Sequence, residues 1–437
     1  MSIRPPDADI ADAAQPEAVR AAGYRPFATL LAAGWLLSNL GYYTADLPLR
    51  FLLKDDLKLD AQMVALFFAI GNFTNYIKPL AGVLTDAVPI FGTRRRHYLL
   101  ISLFACGVLW FVLGLVPRTY LILLITYAIM YVSVVFISTT LGGIMAEGGE
   151  RFRASGRLSA QRIGIFRIAV VVGSFAGGYL AKLPFLLTCS IVTALHFSLI
   201  PLFAKHWREA PIQRSDTRAW EAVKEQGRVL VRSRTLWAAA GLVFLVNVEP
   251  GFDTPLLYYQ TDVLHFSKEF IGGLGSIAAA CGVLGALVFG RLCGRFPLRP
   301  LIVMGILTHV TVVLLHLGLQ PIPLAPGGDS VTPVAIAIFI RGFYNMAQTL
   351  AILPLYDLCI RATPRGSEAL GYSVMMSVFN IATAVADLIG SSLFKHIGFP
   401  PLIFLNAATT LLVLCFVPFL PRALTYRRDG DPAVNQG

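Results

Sequence analysis

The chain predicts an all-α membrane protein: twelve transmembrane helices arranged as two six-helix halves. Three observations carry this. Hydrophobic residues make up 56% of the 437 and charged residues only 14%, against roughly 25% charged in a soluble domain. Twelve apolar stretches follow one another from about Phe27 to Pro421, each near the roughly 20 residues that a helix needs to cross a bilayer. The basic residues cluster in alternate connections, at Arg94–Arg96, Arg151–Arg157, Arg208–Arg234, Arg291–Arg299, Arg361–Arg365 and Arg422–Arg428. That positive-inside pattern places both termini in the cytoplasm of a plasma (inner) membrane. It makes the net charge of +11 a topology signal, and no nucleic-acid partner is expected.

Residues 1–24 are rich in Ala, Pro and Asp and hold no apolar signal-peptide core. They read as a disordered cytoplasmic tail. Residues 25–205 form the N-terminal half, with spans near 27–52, 62–85, 97–117, 119–146, 159–182 and 184–205. Residues 206–235 form a cytoplasmic linker. Behind Asp216 as an N-cap, Trp220, Val223, Gly227 and Leu230 recur at helical spacing, which predicts an amphipathic helix on the membrane surface. Residues 236–421 form the C-terminal half, with spans near 236–262, 269–293, 299–319, 333–358, 369–393 and 400–421, and 422–437 are a second tail. The halves echo one another. Glu147 followed by Arg151, Arg153 and Gly156 parallels Asp357 followed by Arg361, Arg365 and Gly366, as internal repeats of a rocking transporter would.

Several features are read as packing. The six cysteines all lie in or at the ends of spans without a CxxC pair, so neither a metal site nor a disulfide framework is indicated. His196, His309 and His316 are isolated along the sequence and read as packed or hydrogen-bonded side chains. Gly173, Gly177 and Gly178 predict a close helix contact. With no phosphate-cradling loop, zinc-protease helix or nucleophile elbow in the chain, neither an ATP-driven pump nor an enzyme is expected, and no cofactor.

Ionisable and polar residues inside the spans carry the functional reading, because a charge at mid-bilayer costs about 3 kcal/mol or more unless it meets a partner or a wet cavity. Arg167 in span 5 and Arg341 in span 10 would hold an anionic group through the bidentate guanidinium fork. Asn39, Tyr43, Asn72, Asn345, Gln348 and Asn380 would line the same cavity. Glu249 and Asp253 in span 7, or Asp46 in span 1, would take up and release a proton. Asp46 and Arg50 stand four residues apart, so a structural ion pair is the competing reading there. Lys78, beside Pro79, could snorkel to the membrane surface. Pro250 and Gly251 break span 7 beside Glu249 and could form a hinge or line a cavity.

The sharpest local pattern lies between spans 2 and 3, where Gly82, Asp86, Gly92, Arg94, Arg95 and Arg96 follow in order. It resembles the cytoplasmic gate of the major facilitator superfamily, in which the acid pairs with an arginine or a helix N-terminus and holds one side shut. With Lys78-Pro79 ahead of it and Pro89-Ile90-Phe91-Gly92-Thr93-Arg94-Arg95-Arg96 within it, the segment resembles the folate–biopterin transporter family of that superfamily. Two further matches run from Thr254 to Gly272 and from Thr363 to Asn380. Span 4 departs from the family, reading Val134 to Thr140 with no acid before Glu147. The resemblance implies a monomeric secondary transporter for a folate- or pterin-like anion, working by alternating access as a proton symporter or a uniporter. Permeases for muropeptides, siderophores, sugars or drugs stay open as alternatives, and a non-transporting membrane receptor is a further one.

Overall fold

A computed structural model describes residues 17–93, 95–152, 154–209, 217–319, 331–364, 368–420 and 425–426. The described residues are helical almost throughout. Their one β-type contact is the isolated bridge between Ile90 and Thr93.

Helix α1 spans Glu17–Phe51 and starts ahead of the expected boundary, so residues 17–24 continue the helix instead of belonging to a tail. The run Glu17-Ala-Val-Arg-Ala-Ala consists largely of strong helix formers. Span 2 is broken into α2 (Ala61–Gly71) and α3 (Lys78–Ala87). Then come α4 (Arg96–Leu115), α5 (Tyr120–Arg151), α6 (Ser155–Leu180) and α7 (Phe185–His206). The linker forms α8 (Thr217–Arg232). The side chains of Trp220 and Val223, and the N-cap Asp216, lie outside the described residues. Span 7 is also broken, into α9 (Arg234–Asn247) and α10 (Asp253–Tyr258). The chain continues through α11 (Lys268–Leu292), α12 (Leu298–Leu314), α13 (Val331–Ala362), α14 (Glu368–Ile397) and α15 (Phe399–Val413).

Nine helices among the described residues are individually long and apolar enough to cross a membrane, so a count of twelve continuous spans is not reached. The three not counted are spans 1, 2 and 7: α1 is long and continuous but less apolar, and spans 2 and 7 fall short for a local reason. Asn72, Asn75 and Pro79 interrupt one, and Pro250 and Gly251 the other, where backbone amides are missing or helix propensity is low.

The core divides as the sequence does. One buried cluster belongs almost wholly to α1–α7, with Trp110, Tyr127, Phe67 and Phe203 among its largest members. Two more fill the region from α8 to α15. The halves meet along two seams, α2 and α3 against α14, and α6 against α11. The second seam is very close. A Cβ on Gly272 would lie 2.6 Å from the Ser174 carbonyl oxygen, and one on Gly178 would lie 2.9 Å from that of Lys268. Of the predicted small-residue stripe, Gly178 serves this seam, and Gly173 lets α1 approach at Tyr43.

Candidate functional site

Two faces of the bundle differ in how the halves are tied. We call the one bearing residues 88–96 the motif face and the other the far face. At the far face, ion pairs run from half to half. Lys54 meets Asp262 at 2.6 Å, Lys268 meets Asp55 at 2.6 Å, Lys395 meets Asp60 at 3.0 Å, and Lys182 meets Glu269. The Tyr258 hydroxyl also donates to the Leu59 carbonyl oxygen. Deeper in, Arg50 pairs with Asp46 at 3.1 Å, lies 4.5 Å from the Phe68 ring, and reaches Thr254. Thr254 in turn donates to Asp387 at 2.7 Å. Asp46 is therefore committed to an ion pair within α1.

At the motif face, the described ion pairs stay within one half. Residues 90–93 form a tight turn with positive φ at Phe91 and Gly92, closed by reciprocal 3.0 Å hydrogen bonds between Ile90 and Thr93. Glycine suits the second of those positions because a Cβ is strained there. Behind the turn, the backbone amides of Arg95 and Arg96 both donate to Glu209, at 3.0 and 2.9 Å. The Arg95 guanidinium pairs with Glu147 at the end of α5, and Arg96 donates to the Ala204 carbonyl oxygen near the end of α7 at 2.9 Å. The motif thus clamps α4 to α5 and α7, with Glu147 and Glu209 as the acids holding it. Gly82 sits in ordinary contact, 3.8 Å from Thr139 for an added Cβ. The Asp86 side chain and the whole of Arg94 lie outside the described residues.

Between the halves lies a cavity of about 720 Å³. Its mouth is toward the motif face. Ser159, Arg162 and Ile163 near the start of α6 and Tyr372 near the start of α14 line it and are exposed. Asn39, Tyr43, Arg167, Asn345 and Gln348 line it as the sequence suggested. Asn39 and Asn345 spend their amide N–H groups on the backbone carbonyls of Trp35 and Arg341, at 2.6 and 3.0 Å. That leaves their carbonyl oxygens to face a ligand.

Three predicted members lie elsewhere. The Asn72 side chain accepts from the Tyr127 hydroxyl at 3.0 Å, inside the N-terminal half. Asn380 is not among the lining residues. Nor is Arg341. It sits a turn nearer the far face than Asn345, where the halves have closed, and lies within electrostatic reach of His316 and Tyr344 instead. Of the proton-carrier candidates, Glu249 faces His309 at 3.6 Å, so His309 is not isolated, and Asp253 opens α10 as an exposed residue.

Sequence reasoning missed Lys78 and Arg162 as cavity residues, and left Asn75 open between facing the solute and an interhelical hydrogen bond; it does both. Asn75 donates to the Tyr131 hydroxyl at 2.7 Å. The Lys78 ammonium turns inward and donates to Ser138 at 2.9 Å, so it does not snorkel to the surface. Arg162 stacks over the Trp35 ring at 4.5 Å. A signal was available for Arg162, which lies five residues before Arg167 on the same span. Among the described residues, Lys78, Arg162 and Arg167 make no ion pair and no Asp or Glu lines the cavity. The rest of the wall is aromatic, with Trp35, Tyr42, Tyr43, Tyr131, Phe166 and Tyr356 among its members.

Residues 43–427 match the model of the BT1 family. The chain belongs to the BT1 family. This BT1 protein is 25% identical over 414 residues to the folate-biopterin transporter of Synechocystis sp., covering 89% of this chain and 79% of the relative. It is 22% identical over 412 residues to folate transporter 1 of Plasmodium falciparum, covering 87% and 75%. Its fold is that of the nucleoside transporter NupG, with a TM-score of 0.65 at 13% identity over 90% of this chain and 98% of the other. The family and its relatives are transporters, which makes this an integral, multi-pass membrane transporter of the major facilitator fold and not an enzyme.

Proposed function

We propose that this BT1-family protein carries a folate- or pterin-like organic anion across the membrane by alternating access. The observation that carries this reading is the cavity wall, where Lys78, Arg162 and Arg167 stand among aromatic rings with no carboxylate among the described lining residues. Guanidinium groups grip carboxylates bidentately, and flat heterocycles stack on aromatic faces. A solute with an aromatic head and one or two carboxylates satisfies both halves of that wall. The names of the relatives support the same class.

The arginine-rich motif face is the cytoplasmic one in this reading, so the sealed far face is external and the cavity opens inward. Transport then requires the four inter-half lysine pairs to part while the two seams rock. Each pair is partly exposed, and such pairs contribute only about 0–1 kcal/mol apiece. They can therefore exchange for contacts at the other face without a large barrier. The transporter works as a monomer, since the cavity draws on both halves of a single chain.

The test is uptake of radiolabelled folic acid by proteoliposomes holding the full chain, with excess unlabelled pterin, muropeptide, ferric siderophore or nucleoside as competitor. Saturable folate uptake, blocked by pterin alone, is expected. Uptake blocked instead by a muropeptide or siderophore would assign the anion site to that class, and uptake only of neutral nucleosides would refute an anion site.

A further inference from the structure

We propose that Glu249 and His309 bind a single proton between them, at a site inside the C-terminal half and separate from the solute cavity. The site begins with the break in span 7. Its backbone is tied down on two sides: the Pro250 carbonyl oxygen accepts from Asn406 at 2.9 Å, and the Gly251 amide donates to the Ala386 carbonyl oxygen at 2.8 Å. Gly251 and Gly390 are in backbone contact that no side chain would fit. From this fixed segment, Glu249 reaches α12. Its Oε1 lies 3.6 Å from Nε2 of His309, and the two side chains are only 13% and 12% exposed.

That distance falls just outside a hydrogen bond. Glu249 Oε2 and His309 Nε2 are both buried with no hydrogen-bond partner among the described residues. Leaving such atoms unpaired in a buried site is unfavourable. A proton held between them pairs Nε2 with the carboxyl group: on the ring it makes an imidazolium that donates to the carboxylate, and on the carboxyl it makes an O–H that donates to Nε2. Either form is neutral overall, whereas its loss leaves one negative charge on the buried pair, whichever ring nitrogen of His309 keeps the hydrogen.

The groups facing the pair fit this. Asp253 of α10 is within electrostatic reach of His309, and Arg341 of α13 is within reach of His316. The Tyr344 ring lies 6.1 Å from the His309 ring and 4.8 Å from that of His316. The Nδ1 of His316 lies 3.2 Å from the carbonyl oxygens of Val312 and Val313. Carbonyls only accept, so Nδ1 carries the hydrogen and Nε2, buried and unpartnered, is a bare acceptor. The open valences of the cluster are thus mainly acceptors. Helix α13 joins this site to the solute, with Arg341 and Tyr344 at the cluster and Asn345, Gln348 and Thr349 on the cavity wall. A proton entering therefore changes charge beside Tyr344, whose ring lies 6.1 Å from that of His309 and which precedes the solute-facing Gln348 by about one helical turn.

The inference rests on the reading of the chain as a secondary transporter, not on the identity of its solute. Infrared difference spectra of the purified full chain in liposomes, titrated from about pH 5 to pH 9 without solute, test it directly. A carboxyl or imidazolium band should titrate in the wild type, and in both Glu249→Gln and His309→Gln it should vanish or shift its midpoint by about one unit or more. A band that titrates at the wild-type midpoint in either variant overturns the shared site. In the same liposomes under an inward proton gradient, both variants should lose accumulation of folic acid; accumulation at the wild-type level would overturn the coupling. Should the wild type carry no folic acid, the solute assignment falls while the spectra still decide the proton site.

Discussion

Replacing Arg167 with glutamine should weaken binding of an organic anion by one to two orders of magnitude. Arg167 projects from the middle of α6 into the cavity and makes no ion pair among the described residues. Its place is fixed from across the seam, since a Cβ on Gly282 of α11 would lie 2.8 Å from its Nη1 and 3.2 Å from Thr349 Oγ1. A hydrogen bond to a charged group contributes about 1.5–3 kcal/mol, and about 1.4 kcal/mol is tenfold in affinity. Loss of the guanidinium therefore predicts a Kd about 10- to 150-fold higher. Arg167→Lys should fall between wild type and Arg167→Gln, because ammonium keeps the charge and loses the fork. Stability of the empty protein should move the other way, or not at all, since Lys78 and Arg162 repel a third cation in the same cavity. The assay is equilibrium binding of folic acid and of its neutral diamide to detergent-purified variants matched for monodispersity. The diamide should be nearly indifferent to the substitution. A folic acid Kd within about twofold of wild type, or an equal loss for the diamide, would refute the anion clamp.

Other expectations follow from the same geometry. Gly282→Ala, which presses on the Arg167 guanidinium, should weaken folic acid binding without removing a charge; unchanged binding would show that the guanidinium relocates freely. Burial pushes the Asp60 carboxyl up, but the Met63 N–H and the Lys395 ammonium outweigh it and leave the group below its ordinary value. The Asp60–Lys395 seal is therefore fully present above the usual aspartate pKa of about 3.9 and is lost as pH falls through the lowered value. Spin labels at Thr119 and His396 should report a far face unchanged between about pH 7 and pH 5 and opened by Asp60→Ala; opening already at pH 5 would contradict the lowered carboxyl. Arg95→Ala, which unclamps α4 from α5, and Asp86→Asn should each slow transport at equal membrane abundance, and wild-type rates in both would leave the motif a topology signal only. A cysteine at Phe91, 81% exposed on the motif face, should be labelled from the cytoplasm alone and one at Lys58 from outside alone. The reverse pattern would invert the bundle.

The sequence by itself determined the solvent, the class of fold and the family. Apolar length and the alternation of arginines are one-dimensional quantities, and a bilayer acts on them directly because every buried backbone group must be satisfied within its own helix. The break at Pro250–Gly251 was legible for a similar reason, since missing amides and poor helix formers act locally; the break at Asn72–Pro79 carries the same signals, yet the span was read as continuous. Arg167, Asn39, Tyr43, Asn345 and Gln348 were legible as cavity residues because a deep polar side chain needs a wet surface. That argument says that such a residue has a partner or a cavity, not which of the two. Tertiary structure alone chose between them. It gave Asn72 to Tyr127 and Arg341 to the histidine cluster, whereas the Asp46–Arg50 pair, four residues apart on one helix, was already open to the sequence. It turned Lys78 inward to Ser138 and set Glu249 against His309, sixty residues away along the chain. Helical periodicity fixes which residues share a face of one helix. Which helix packs against that face, and at what depth the two halves separate to leave a cavity, depends on contacts between segments far apart in sequence, such as the Gly178–Gly272 seam. Partner choice for a buried polar group is decided there.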